Sequence, residues 1–216
     1  MIRFAFSLIF SIFAAKKQYM ERFIMQDLIA WKNRKDRKPL ILLGARQVGK
    51  TYILKEFGQR EFENVAYINC DNNAMAKDLF ASDYNIDRIL LTIGAITGVN
   101  IEAGKTLIIM DEIQELHRGL ASLKYFCENA REYHVAVAGS LLGLALHQGE
   151  SYPVGKVNTL EMYPMTFEEF LWARGFKQRM DLLQHGMWDV VKSLRTLYIQ
   201  HLSLIHISEP TRLALI

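Results

Sequence analysis

The sequence predicts an α/β fold in three layers, a parallel sheet of about five strands with helices on both faces. Three observations point there. Five short, uninterrupted apolar runs are bounded by breakers, as strands buried on both faces are. Stretches of helical periodicity separate most of those runs, and strands that alternate with helices imply parallel pairing. The first run, Pro39 to Gly44 (PLILLG), empties into a glycine-bounded loop that leads directly to a helical stretch, Tyr52 to Phe57.

From Met20 to Trp31, the apolar residues Phe23, Ile24, Leu28 and Trp31 recur at spacings near three and four, which predicts an amphipathic helix lying on one side of the sheet. Lys32 to Lys38 holds five basic residues and one acid and reads as a solvated connector. After the Pro39–Gly44 strand, the other strand runs are Val65 to Asn69, Thr106 to Asp111, Val135 to Gly139 and Val157 to Met162. Leu79, Phe80, Ile86, Ile89, Leu90 and Ile93 predict one or two helices after the second run. Leu116, Leu120, Leu123, Cys127 and Ala130 give a helical face after the third, and a further helix is expected from Leu141. Thr166 and Glu169 have the spacing of a capping box, and Gly175 is suited to ending the helix that they start.

Residues 20–175 thus read as one α/β domain and 176–201 as the helical start of a further region. Both ends stand apart. Arg3 followed by the apolar Phe4 to Ala15 has the charge and length of a signal peptide, and is too short to span a bilayer. Yet Phe13 stands where a cleavage site wants a small residue, Lys16 and Lys17 follow at once, and Met20 offers a second start. Residues 1–19 are therefore expected to be a non-native or signal-like extension. Residues 202–216 (LSLIHISEPTRLALI) depart from the helical pattern before them and resemble translated sequencing-adapter DNA. On that reading they carry no function; a native amphipathic tail is the alternative.

With 216 residues, 50% hydrophobic and 23% charged, the chain has the composition of a globular domain. Its net charge of +3 is too small to argue for nucleic acid, which stays open as a partner, as does a homo-oligomer. Cys70 and Cys127 are too far apart for a zinc knuckle or a redox pair and read as reduced thiols of a cytoplasmic protein. His117, His134 and His147 lack the spacing of metal ligands, and no membrane association is expected.

The sharpest chemical signal is Gly44, Ala45, Arg46, Gln47, Val48, Gly49, Lys50 and Thr51, which satisfies G-x-x-x-x-G-K-[ST] between a buried strand and a helix. Glycines let the backbone wrap phosphates with its N–H groups inward, and the helix start adds favourable partial charge. Lys50 is expected on the β- and γ-phosphates of ATP, and Thr51 on Mg²⁺. Leu107 to Met110 then resembles a Walker B strand, ending in Asp111 and Glu112. Asp111 at the carboxyl edge of the sheet is expected to hold the Mg²⁺ shell, and Glu112 to be the catalytic base. The strand Val135 to Gly139 brings Ser140 to the same edge, either as a γ-phosphate sensor or as an ordinary helix cap. Asn69 and Asp71 are equally ambiguous. Arg118 and Arg131 have the chemistry of arginine fingers but read better as solvated helix faces.

GARQVGKT, LIIMDEIQ, AVAGSLLG and YPVGKVNTLEMYPMTFEEFL, in that order, resemble a widespread prokaryotic group of predicted AAA-superfamily ATPases over roughly residues 20–200. The resemblance implies a P-loop NTPase sandwich with sheet order 5-1-4-3-2, and supports the stated roles of Lys50, Thr51, Asp111, Glu112 and Ser140. Members of that group continue into a second, C-terminal domain, whereas only residues 176–216 follow Gly175, so the output module is expected to be missing or cut short.

The leading expectation is Mg-dependent ATP hydrolysis coupled to a conformational change on an unknown macromolecular partner. A P-loop kinase shares the first motif but needs an acceptor site, and the Asp111–Glu112 pair fits hydrolysis better. A module that binds ATP with negligible turnover is the third reading.

Overall fold

A computed structural model of the chain describes residues 21–71, 73–80, 83–140, 153–173 and 188–207. Its elements in chain order are α1 (Ile24–Lys32), β1 (Leu40–Gly44), α2 (Lys50–Glu61), β2 (Asn64–Asn69), α3 (Ala74–Lys77), α4 (Ile86–Thr97) and β3 (Thr106–Asp111). A 3₁₀ turn (Ile113–Glu115) follows, then α5 (Gly119–Asn129), β4 (His134–Ser140), β5 (Asn158–Glu161), α6 (Phe167–Ala173) and α7 (Trp188–Ile207).

All pairings are parallel. β1 lies between β4 and β5, β3 lies between β2 and β4, and the order is β2-β3-β4-β1-β5. Counted from the other edge, that is the expected 5-1-4-3-2. Each strand run of the sequence is a strand here, because side chains on both faces of the central strands are apolar. Alternation sends Leu40 and Leu42, Leu107 and Ile109, and Ala136 and Ala138 to one face. There they meet Met25, Leu28 and Trp31 of α1 and Ile53, Leu54 and Phe57 of α2. Ile41, Ile108, Met110, Val135 and Val137 go to the other face, against Ile89 and Ile93 of α4 and Leu120, Leu123 and Phe126 of α5. Each large side chain so buried is worth about 1.5–3 kcal/mol, and the sheet is gripped on both sides.

Local chemistry sets the helix ends. The Asn85 side chain accepts from Arg88 N at the start of α4, and Gly98 closes that helix with φ 68°. The capping box forms: Thr166 N donates to Glu169 Oε2 at 2.8 Å, and Glu169 N to Thr166 Oγ1 at 3.2 Å. α6 and α7 share a small aromatic core, in which Phe167, Phe170 and Tyr198 meet.

Two boundaries differ from the sequence reading. α1 starts at Ile24 rather than Met20, because the residues just before it are drawn into contacts with Glu169. α7 runs on to Ile207, so the helical pattern does not break at Leu202; no glycine or proline interrupts the chain between Trp188 and Ile207. The expected helix from Leu141, the stop at Gly175 and the extension 1–19 lie outside the described residues. Among the described residues, no helix is long and apolar enough to cross a membrane. Cys70 and Cys127 are both free and buried.

Candidate functional site

Because the strands run parallel, the carboxyl ends of β1, β3 and β4 open on one edge of the sheet. Gly44 is in register with Ser140, and Asp111 with Asn69 and Ala138. That register brings the segments after β1 and β3 together, and α2 begins at this edge with Lys50.

The loop between β1 and α2 owes its shape to two glycines with different reasons. At Gly49, φ is 98°, a left-handed conformation that only glycine adopts readily. At Gly44 the reason is space: a Cβ there would stand 2.3 Å from the Met162 carbonyl oxygen, in the chain leaving β5. Gln47 is held at φ 63° without being a glycine, and Val48 anchors the loop with its side chain in the core. Ala45 is half-buried, while Arg46 and Gln47 are exposed.

Lys50 is 7% exposed, and its Nζ donates to Gly44 O at 2.8 Å and Ala45 O at 2.7 Å. The ammonium thus lies inside the curl of the loop, whose first N–H groups at the head of α2 have no helical partner. Beside it, Thr51 Oγ1 donates to Asp111 Oδ2 at 2.6 Å. The Tyr67 hydroxyl donates to the same oxygen at 3.2 Å, with the Lys55 ammonium 3.3 Å from its ring centroid. Burial, then the Asp111 charge, pushes the Tyr67 hydroxyl up to about 12, so it stays a donor. Burial likewise raises the Cys70 thiol to about 12, with Asp111 and Glu112 adding to it, which leaves that thiol unreactive.

Glu112 has φ 53° and ψ 48°, a conformation that costs a non-glycine residue about 1 kcal/mol or more. Such strain persists where neighbours over-determine it. Here the Gln114 amide donates to the Glu112 carboxylate, and Gln114 is itself 8% exposed, with its Oε1 buried and lacking a hydrogen-bond partner. Gln114 escaped the sequence reading, although its place two residues after the acidic pair was the available signal.

Arg46, Lys50, Thr51, Asp71, Glu112 and Gln114 line a cleft of about 580 Å³, with Asp111 reached through its contact with Thr51. Asn69 turns out to be a turn residue, its Oδ1 accepting from Asp71 N at 3.0 Å. Ser140 ends β4 directly beside Gly44. Arg118 and Arg131 do not line the cleft. Arg118 is half-buried rather than solvated, its guanidinium 4.3 Å from the Tyr84 ring centroid and its Nε donating to the Tyr84 hydroxyl, whereas Arg131 is exposed. His134 is buried against Trp31 and Phe62, away from the cleft, and His147 lies outside the described residues. Across the loop from the cleft is a second cavity of about 150 Å³, walled by Tyr52, Ile53, Met162, Met165, His201 and Arg22.

A family model for the AAA domain matches residues 36–171. Among curated proteins, the chain is 28% identical over 181 residues to the uncharacterized protein MJ1637 of Methanocaldococcus jannaschii, covering 76% of this chain and 34% of that one. The chain thus spans about a third of that relative's length. Among solved structures it is similar to the Aeropyrum pernix ORC1 protein in complex with DNA, with a TM-score of 0.43 and 14% identity over 70% of this chain and 47% of that one. The family match spans more than half of the chain, including the whole loop, both acidic residues and all five strands. The chain belongs to the AAA-domain family of P-loop ATPases.

Proposed function

We propose that the chain binds Mg-ATP in the large cleft and hydrolyses it. The observation that carries this reading is the 2.6 Å contact between Thr51 and Asp111, placed beside the Lys50 ammonium at the head of α2. Two hard oxygen ligands from different elements can both touch one small cation there. That suits Mg²⁺, which takes few protein oxygens and completes its shell with phosphate and water.

In this reading, Lys50 leaves the Gly44 and Ala45 carbonyls for the β- and γ-phosphates, and the N–H groups at the head of α2 cradle the same oxygens. A bound Mg²⁺ would supply Lewis-acid stabilisation of the charge that develops in phosphoryl transfer. Thr51 and Asp111 hold it, and Tyr67 orients the Asp111 carboxylate. Glu112, turned by its left-handed backbone and held by Gln114, accepts the proton of the attacking water. Ser140 stands at the γ-phosphate edge as the sensor. The smaller cavity takes the adenine base, against the Tyr52 ring and between the Met162 and Met165 side chains.

Arg22, which donates to Glu169 of the α6 capping box, and His201 of α7 line this cavity, so nucleotide binding there is suited to moving α6 and α7 and whatever macromolecule they serve. Incubation with γ-labelled ATP tests the reaction class. Label released as free phosphate supports hydrolysis, and label on an acceptor overturns it in favour of a kinase.

A further inference from the structure

Arg22 lines the smaller cavity but has no assigned role in the chemistry above, and it is only 7% exposed. Its Nε donates to Glu169 Oε1 at 3.0 Å, one terminal nitrogen to Val48 O at 3.2 Å, and the other to Tyr163 O at 2.8 Å. Glu169 is 3% exposed and also accepts from Phe23 N at 2.8 Å and Thr166 N at 2.8 Å. One buried ion pair thus joins four stretches of chain: the entry to α1, the phosphate loop, the exit from β5 and the cap of α6. Burying two charges is costly, and an apolar pair of the same volume serves stability as well or better. What an apolar pair cannot supply is the bond to Val48.

That bond matters because the peptide joining Val48 to Gly49 is planar and trans. Its carbonyl oxygen and its N–H point in opposite directions. The Val48 oxygen is bonded to Arg22, which lines the smaller cavity and not the cleft, so the Gly49 N–H of the same peptide points away from Arg22. Gly49 at φ 98° carries the chain from this peptide into α2, and Gly49 lines the cleft.

We propose that Arg22 is a positioning residue for the phosphate cradle: through the Val48 carbonyl it presets the Gly49 N–H as a phosphate donor, and through Glu169 it makes that setting depend on the docking of α6. The inference rests on the nucleotide reading of the cleft. It implies that nucleotide binding and α6 docking favour one another, since linkage between two sites is reciprocal.

The test is titration of the full chain with ATP and with inorganic triphosphate, each with Mg²⁺, by calorimetry, for wild type, Arg22→Met and Glu169→Gln, with a melting curve for each. Expected is a loss of about tenfold or more in affinity for both ligands in Arg22→Met, the scale of a charge-assisted hydrogen bond. A smaller loss is expected in Glu169→Gln, which keeps its size and one acceptor oxygen. Because triphosphate has no base, a loss confined to ATP overturns the proposal and makes Arg22 a contact of the base rather than a setter of the loop. Folded variants that bind both ligands within twofold of wild type overturn it outright. If Arg22→Met melts below the assay temperature, Glu169→Gln decides by the same criteria. A wild-type chain that binds neither ligand defeats the nucleotide reading itself, and that result appears before any variant is made.

Discussion

The Thr51 hydroxyl donates to Asp111 Oδ2 across the gap between the first turn of α2 and the end of β3. Neither element determines the contact alone. It exists because β1 and β3 flank β4 in one parallel sheet, so that the loop after β1 returns a helix start to the end of β3. If the pair holds Mg²⁺, Thr51→Ala removes one ligand while leaving the loop and Lys50 in place. The expected result is a rise of about tenfold in the Mg²⁺ concentration that half-saturates ATP binding, the scale of one charge-assisted contact. Affinity for ATP in EDTA should stay within twofold. An unchanged Mg²⁺ requirement would place the metal elsewhere.

Glu112→Gln keeps the hydrogen bond from Gln114 within reach but removes the proton acceptor. General-base catalysis is worth about 10²- to 10⁴-fold. Phosphate release at saturating Mg-ATP should therefore fall by at least the lower figure, with ATP affinity held within about twofold. Turnover within twofold of wild type would exclude Glu112 as the base.

Tyr52 is 46% exposed, stands at the first turn of α2 and lines both the smaller cavity and the edge of the cleft. Stacking of a base on an aromatic ring is worth about 1–3 kcal/mol. Tyr52→Ala should weaken ATP by about tenfold and leave inorganic triphosphate unaffected. Equal losses for both ligands would mean that the base binds elsewhere.

His134 supplies a pH dependence with no link to nucleotide. Burial, with the Arg37 and Lys32 charges adding to it, lowers its imidazole from 6.5 to about 4, and its Nδ1 is buried with no hydrogen-bond partner. The folded protein keeps this ring neutral, while the unfolded chain protonates it below about 6.5. Stability from this group is therefore full above pH 6.5, falls as the pH drops toward 4 at up to about 1.4 kcal/mol per unit, and levels off below that. Urea midpoints measured across this window should slope less in His134→Leu than in wild type. Parallel slopes would show that His134 does not titrate on unfolding.

Much of this fold was legible because its strands are buried on both faces. A continuous apolar run between breakers, such as Leu107 to Met110, then has one reading. The G-x-x-x-x-G-K-[ST] loop and the Thr166–Glu169 capping box were legible because each rests on a local spacing. Arg22 was not, since its partner Glu169 lies 147 residues away and only the folded sheet brings the two together. Gly44 was assigned to the phosphate loop, but its need for a missing Cβ comes from Met162, equally remote in sequence. The half-buried stacking of Arg118 on Tyr84 was hidden for the same reason.

If the cleft around Lys50 is a Mg-ATP site, its affinity for nucleotide depends on the Lys50 ammonium. Calorimetric titration of Mg-ATP into wild type and Lys50→Ala tests it most directly, with melting curves to show that both are folded. A charge-assisted contact to phosphate supplies about 1.5–3 kcal/mol, so the variant should bind roughly 10- to 150-fold more weakly. Equal affinity in the two proteins, or no binding to wild type, would mean that the cleft is not a Mg-ATP site.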